Sequence, residues 1–290
     1  MKLFSLLILL LASAPWAWGG SAMALSSGEV LKYRVRWGIF TNAGTIEVSA
    51  HKEEVAGLPQ IRIDTHTNTR GFVHAIYAFD GDGQSIFDGR DGRLLAISAW
   101  SATSKKTTKT MAVFDYAAGK VHYADYMDPS KDQILDIPDG NPMDLITSLI
   151  ETRRWDLHPG DRVPTTIMFG HDFYDVVVVA DSYAKVHVPL GDFDTIVLVP
   201  KMEKNPRGLF KKGGSVRVWI SRDERHLPVM FEVSMGFGTG TAELSQYTPP
   251  TDAAAEGPST VSSGAPLGGI PKTWVQAGLG KASEGQQKPQ

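Results

Sequence analysis

The chain of 290 residues has no cysteine. It therefore has no disulfide, no thiolate metal site, no cysteine nucleophile and no lipid-bearing cysteine of the kind that anchors a lipoprotein. Positive charge is not in surplus either: 29 Lys and Arg face 32 Asp and Glu, for a net charge of −3. A weakly acidic chain exerts no general attraction on phosphate backbones, so nucleic acid is not an expected partner. No G-x-S-x-G elbow and no H-E-x-x-H helix occur, and the eight histidines stand singly, at His51, His66, His74, His122, His158, His171, His187 and His226. These absences leave no catalytic residue, no metal site and no cofactor to expect from spacing.

What is present begins with "MKLFSLLILLLASAPWAWGGSAMA". One cation at Lys2, an apolar run from Leu3 to Ala12 and the small residues of Ala22-Met23-Ala24 make the pattern of a secretory leader over residues 1–24, cut after Ala24. Pro15 and Gly19-Gly20 interrupt the run before the roughly 20 apolar residues that a membrane span needs. The expected location is periplasmic or secreted, with no integral span after cleavage. From Pro249 to Gln290 the chain is dominated by Pro, Gly, Ala and Ser, which cannot bury enough surface to offset the entropy of ordering, and a disordered tail is expected. Trp274, with Val275 and Leu279, is the exception in it.

Residues 25–248 read as a single β-barrel-like domain. "VLKYRVRW" sets Leu31, Tyr33, Val35 and Trp37 against Lys32, Arg34 and Arg36, a period of two that marks a strand with one wet face. "TIEVSA" and "QIRIDTHT" repeat the pattern, with "NAG" and "AGLP" supplying turns, which suggests a meander. Further alternating segments follow to "GTAELSQY", for a total of about 12–14 strands. One stretch differs: "NPMDLITSLIETRRW" predicts a single central α-helix near residues 142–154, with Asn141 as cap, Pro142 in its first position and Asp144 at the positive end of its dipole. A shorter helical turn is suggested by the spacing of Phe72, Ile76 and Phe79. The expected fold class is therefore all-β and mainly antiparallel, a barrel or strongly curved sheet.

Four stretches imitate functional motifs. "WISRDERHLPV" holds Ser221, Asp223 and His226, but three residues this close in a charged turn are poorly placed to form a buried relay, and the stretch reads as a turn between strands. "DGDGQSIFDGRD" from Asp80 alternates acids as a calcium loop does, yet lacks the Gly and Glu that such a loop needs at its sixth and twelfth places, and reads as two hairpin turns. Gly236, Gly238 and Gly240 precede a strand, not a helix, so they serve bending or a close backbone approach. "PKMEKNPRGLFKKGG" places Lys204, Arg207, Lys211 and Lys212 around Phe210, an apolar apex with cationic flanks suited to anionic lipid or glycan. These five residues are the candidate ligand site.

The segments "GEVLKYRVRWGIFTNAGTIEV", "DLITSLIETRRWDLHPGD" and "GLFKKGGSVRVWISRDERHLPVMFEVSMGFGTGTAEL" resemble the bacterial exported family called domain of unknown function 3108. That resemblance implies an exported, β-rich barrel or curved sheet and assigns no reaction. The expectation drawn from residues and resemblance together is a non-enzymatic envelope protein that binds a lipid, a lipoprotein or a polysaccharide. The alternatives are an envelope hydrolase using carboxylates brought together from separate strands, and a structural module whose tail reaches a protein partner.

Overall fold

The computed structural model describes residues 23–211, 214–235 and 238–251. Residues 1–22 of the expected leader, the tail beyond Thr251, and Lys212 of the candidate ligand site lie outside the described residues.

The chain opens with a meander of β1 (Val30–Trp37), β2 (Phe40–Val55) and β3 (Leu58–Thr69). After the short helix α1 (Gly71–Ile76) come β4 (Phe79–Asp88), β5 (Leu94–Thr103), β6 (Thr107–Asp115), β7 (Lys120–Asp125) and the short β8 (Gln133–Asp136). The two-residue β9 (Met143–Asp144) runs directly into α2 (Leu145–Glu151). The second half is β10 (Arg162–Phe169), β11 (Asp172–Val188), β12 (Gly191–Lys201), β13 (Ser215–Ser221), β14 (Pro228–Met235) and β15 (Gly238–Thr248).

Among the described residues, 15 strands form one sheet, ordered β8-β7-β6-β5-β4-β3-β2-β1-β15-β14-β13-β12-β11-β10-β9. Every ladder is antiparallel except the two-residue parallel contact of β9 with β10. The first and last strands meet in the middle of the sheet, where Leu31 lies opposite Tyr247 and Val35 opposite Ala242. From there the sheet grows outward in both directions. Its two ends, β8 and β9, are joined by residues 137–142, a link that spans at most about 20 Å when extended. The sheet therefore curls until its edges approach, but among the described residues no ladder joins β8 to β9 or β10.

Side chains cross the gap that the backbone leaves open. The ring of Phe114 on β6 meets Phe173 on β11 edge to face at 6.4 Å, and Tyr123 on β7 meets His171 at 5.7 Å. Gln133 Nε2 donates to the His171 carbonyl at 3.3 Å. The result is a strongly curved, unclosed wall with an apolar seam.

Alternation explains the core. Leu31 and Tyr33 are buried while Arg34 is exposed, as the period of two requires. Register then carries one face across the first half: Ala50 lies opposite Ile63, Ile63 opposite Ser85, Ser85 opposite Ile97 and Ile97 opposite Ala112. Helix α2 packs on both sides. Ile146 and Ile150 join the main core with Met23, Leu25 and Leu31, whereas Leu149 and Trp155 cover Val178, Leu198 and Val218. Each fully buried side chain of this size contributes roughly 1.5–3 kcal/mol, so the helix ties the two halves of the sheet to each other.

Several boundaries depart from the sequence reading. The cap of α2 is Asp144, whose Oδ1 accepts from the N–H groups of Ile146 and Thr147 at 3.0 Å each, and not Asn141. Asn141 and Pro142 stay outside the helix because Met143 and Asp144 first pair with β10. "NAG" lies inside β2, and the turn is instead Gly38-Ile39. "AGLP" does turn, with Ala56 at φ 53 and Gly57 at φ 77. The segment from Asp80 holds one turn, not two: Asp80 to Asp88 lie in strand β4, where Asp82 bonds His66 across the ladder at 2.7 Å, and only Gly89 to Asp91 turn, into β5. "FYDVVVVA" and "AKVHVPL" are one strand, β11, with an irregularity between Ala180 and Ser182 that shifts its register against β12.

Candidate functional site: a cleft in the open seam

The turn at Trp219–Val229 is not a catalytic relay. The Ser221 hydroxyl donates to Asp223 Oδ1 at 2.7 Å and accepts from the Leu227 N–H at 2.7 Å, while His226 Nδ1 pairs with the Arg153 carbonyl at 2.9 Å. Serine and histidine each serve backbone geometry rather than one another. Among the described residues no three His, Asp or Glu side chains gather as a metal site would require. Gly238 and Gly240 have a local role: the Trp37 ring lies so close that a Cβ on Gly238 would fall 2.9 Å from its Nε1 and one on Gly240 3.1 Å from its Cε3. This is the close approach that glycine permits.

The concave site is in the seam. A cleft of about 1130 Å³ is lined by the link between the sheet edges (Asp139, Gly140, Asn141), by Met143 of β9 and by the free margin of β10. β9 pairs only with Ile167 and Met168, so residues Arg162 to Thr166 have no ladder partner on that side among the described residues. Pro164 sits in this stretch, where its missing N–H breaks no ladder and discourages the addition of a further strand.

Register fixes the composition of one wall. Pro164 lies opposite Val177, Thr166 opposite Asp175 and Met168 opposite Phe173, so these six share a face of the β10–β11 ladder. Five of them line the cleft, together with Trp155 and Met202. The exposed area is mainly apolar, but polar and charged side chains, among them Thr165, Thr166, Glu203, Lys204 and Asn205, interleave with it.

Acidic groups stand among these apolar ones. Glu151, at the end of α2, is 6% exposed and lines the cleft. Burial pushes its carboxyl above the ordinary carboxylate range, against the opposing pull of the Ala24 N–H, which it accepts, and of Arg154. Glu203 is taken by Arg162. Asp139 and Asp175 also line the cleft, and neither forms an ion pair among the described residues. Carboxylates from separate segments thus line the same cleft.

The structure distributes the five candidate ligand residues unequally. Lys204 and Arg207 line the cleft, on the segment that follows β12. Arg207 is held by Asp172 Oδ1 at 3.1 Å, by the Phe173 carbonyl at 2.6 Å and by the Tyr174 ring, whose centre lies 4.7 Å from its guanidinium carbon. Lys204 is exposed and has no ion-pair partner among the described residues. Phe210 is not an apolar apex: it turns back and packs with Leu145 and Met202 against Ile167, Tyr174 and Val176. Lys211 is exposed outside the cleft lining. Gly208 makes this return possible, with φ 57 and the Tyr174 hydroxyl 3.2 Å from where a Cβ would stand. Sequence reading found the cations but missed the partners that make a cleft of them, Trp155, Phe173, Val177 and Met202, because only the meeting of α2, β11 and the segment after β12 assembles these.

The model of the family described as "Protein of unknown function (DUF3108)" matches residues 32–245. No curated protein matches the chain. Among solved structures, the β-barrel-like protein of domain of unknown function DUF1849 from Brucella abortus superposes with a TM-score of 0.50 at 10% identity, over 78% of this chain and 99% of that one. A protein from Bacteroides fragilis described as exported and of YmcC-like fold gives a TM-score of 0.32 at 11% identity, over 78% of this chain and 98% of that one. A protein from Parabacteroides distasonis described as a lipoprotein gives 0.30 at 8%, over 79% and 98%.

Proposed function

We propose, from the premise that the chain belongs to the DUF3108 family of proteins of unknown function, that it is an exported envelope protein which binds an amphipathic ligand, a lipid or the acyl portion of a lipoprotein, in the seam cleft without altering it chemically. The observation that carries this reading is the apolar cleft of about 1130 Å³ at the place where the sheet fails to close. Its volume lies just above the ~300–1,000 Å³ typical of small-molecule sites. The apolar part of the ligand lies against Trp155, Phe173, Val177 and Met202, and an anionic head meets Lys204, whose charge is not committed to an ion pair among the described residues. Arg207, already held by Asp172 and Phe173, shapes the rim rather than reaching for a ligand. Export is supported by the leader pattern of the first 24 residues. No helix among the described residues is long and apolar enough to cross a membrane.

Calorimetric titration with lysophosphatidylglycerol, below the concentration at which it forms micelles, tests the reading. Wild-type protein should bind with a negative heat-capacity change, the mark of apolar burial. Val177→Asp should weaken binding at least tenfold and Lys204→Glu severalfold, with near-ultraviolet circular dichroism of both variants unchanged. An absence of binding heat in the wild type at several temperatures, or equal affinity in Val177→Asp, would refute the cleft as the site.

A further inference from the structure

The leader signature Ala22-Met23-Ala24 places the cut after Ala24, yet the fold uses two of those residues. Met23 is 1% exposed and belongs to the main core with Leu25, Leu31 and Ile150. Ala24 packs against the same core and its N–H donates to the buried carboxylate of Glu151. The residues that follow are fastened in turn: the Ser26 N–H donates to Glu29 Oε2 at 3.1 Å, Glu29 Oε1 pairs with Arg153 at 2.7 Å, and the Gly28 N–H donates to the Ala50 carbonyl at 2.9 Å.

A cut after Ala24 would strip Glu151 of the N–H it accepts, remove a buried Met side chain from the core, and place a new ammonium on Leu25, whose residue is 1% exposed. Each consequence is unfavourable by itself. A cut two residues earlier has neither of the first two, and the ammonium it creates falls on Met23. Gly20 and Ala22 are also small and stand at the two positions that a leader peptidase reads.

We propose that the mature chain begins at Met23. A leader peptidase hydrolyses the Ala22–Met23 amide: one water adds across the bond, Ala22 leaves as a carboxylate on the leader, and Met23 keeps the nitrogen as an α-ammonium. That cation stands one residue from the N–H that Glu151 accepts, so the mature terminus supplies positive charge beside a buried carboxylate. The terminus is thus a built part of the core next to the seam cleft. This inference rests on the export part of the proposed function and is independent of the ligand.

Intact-mass measurement and amino-terminal sequencing of protein recovered from the envelope of expressing cells test it. Wild type should begin at Met23. Ala24→Val, which spoils only the later site, should also begin at Met23, and Gly20→Leu, which spoils only the earlier one, should lose that terminus. Any fraction of Gly20→Leu cut at Leu25 should melt several degrees below wild type. A wild-type chain beginning at Leu25, or Ala24→Val left uncut, would overturn the proposal while leaving export intact. A wild-type chain still carrying Met1 would overturn export as well, so the two failures are distinguishable.

Discussion

Asp88, the last residue of β4, shows how far one side chain can be followed. It is 8% exposed, and its Oδ1 accepts from both the N–H and the Nε of Arg90 at 2.9 Å. The Arg90 side chain, more than any other neighbour, holds the Asp88 carboxyl below its ordinary value of 3.8. A depressed carboxyl contributes stability that is fully present above the unfolded value and is lost as pH falls through the folded one. Asp88→Asn should therefore lower the urea midpoint at pH 7 and have progressively less effect as pH falls below the ordinary value of 3.8 and through the lowered folded one; an effect independent of pH would assign the loss to turn geometry alone. The same scale marks the limit of reading from sequence. The charges and Pro228 in "WISRDERHLPV" were enough to mark a turn, because those chemistries act locally. The inward return of Phe210 was not legible, because nothing within that loop states that Ile167, Tyr174 and Val176 wait beneath it.

Among the elements, the most informative junction is the one between α2, the segment before β1 and the β13–β14 turn. Glu29 and Arg153 form a nearly dry pair at 2.7 Å, with side chains 2% and 10% exposed, and Arg153 Nη2 also donates to the Arg225 carbonyl at 2.9 Å. Removing one member of such a pair strands the other without water. Arg153→Met should cost about 3–5 kcal/mol, and Glu29→Gln in the same chain should recover part of that loss, as chemical denaturation of the two variants would read. If the double variant were less stable than Arg153→Met alone, the pair would not be acting as a unit. Element type was well announced by periodicity: the alternation of β1 and the helical spacing from Leu145 both appear in the structure. Boundaries were not, where local chemistry offered two answers. Asn141-Pro142 is a sound helix start in isolation, and loses to Asp144 because a two-residue contact with β10 holds Met143 extended. The paired glycines in "DGDG" suggest turns, but Gly81 and Gly83 lie in β4 between two full-length neighbours, β3 and β5.

For the whole molecule, the controlling feature is that the chain leaves the middle of the sheet, runs out to one edge, crosses a gap and returns from the other edge to pair with its own beginning. Among the described residues every ladder joins neighbours in sequence or the two ends, which is the order of an up-and-down barrel with one ladder missing. The curved antiparallel sheet was legible because it follows from repeated alternation. The gap was not, since pairing between β8 and β10 is withheld by the short link, β9 and α2 acting together. The cleft lies along the β10 side of that gap, and two of the candidate cations, Lys204 and Arg207, acquire a setting in it.

The account therefore stands on occupancy of the seam. Native mass spectrometry of the protein purified without detergent from its own envelope, followed by solvent extraction, should show a bound species of lipid mass on wild type and its loss in Val177→Asp. Wild-type protein repeatedly free of any such species, or a species retained undiminished when Val177 is changed, would contradict it.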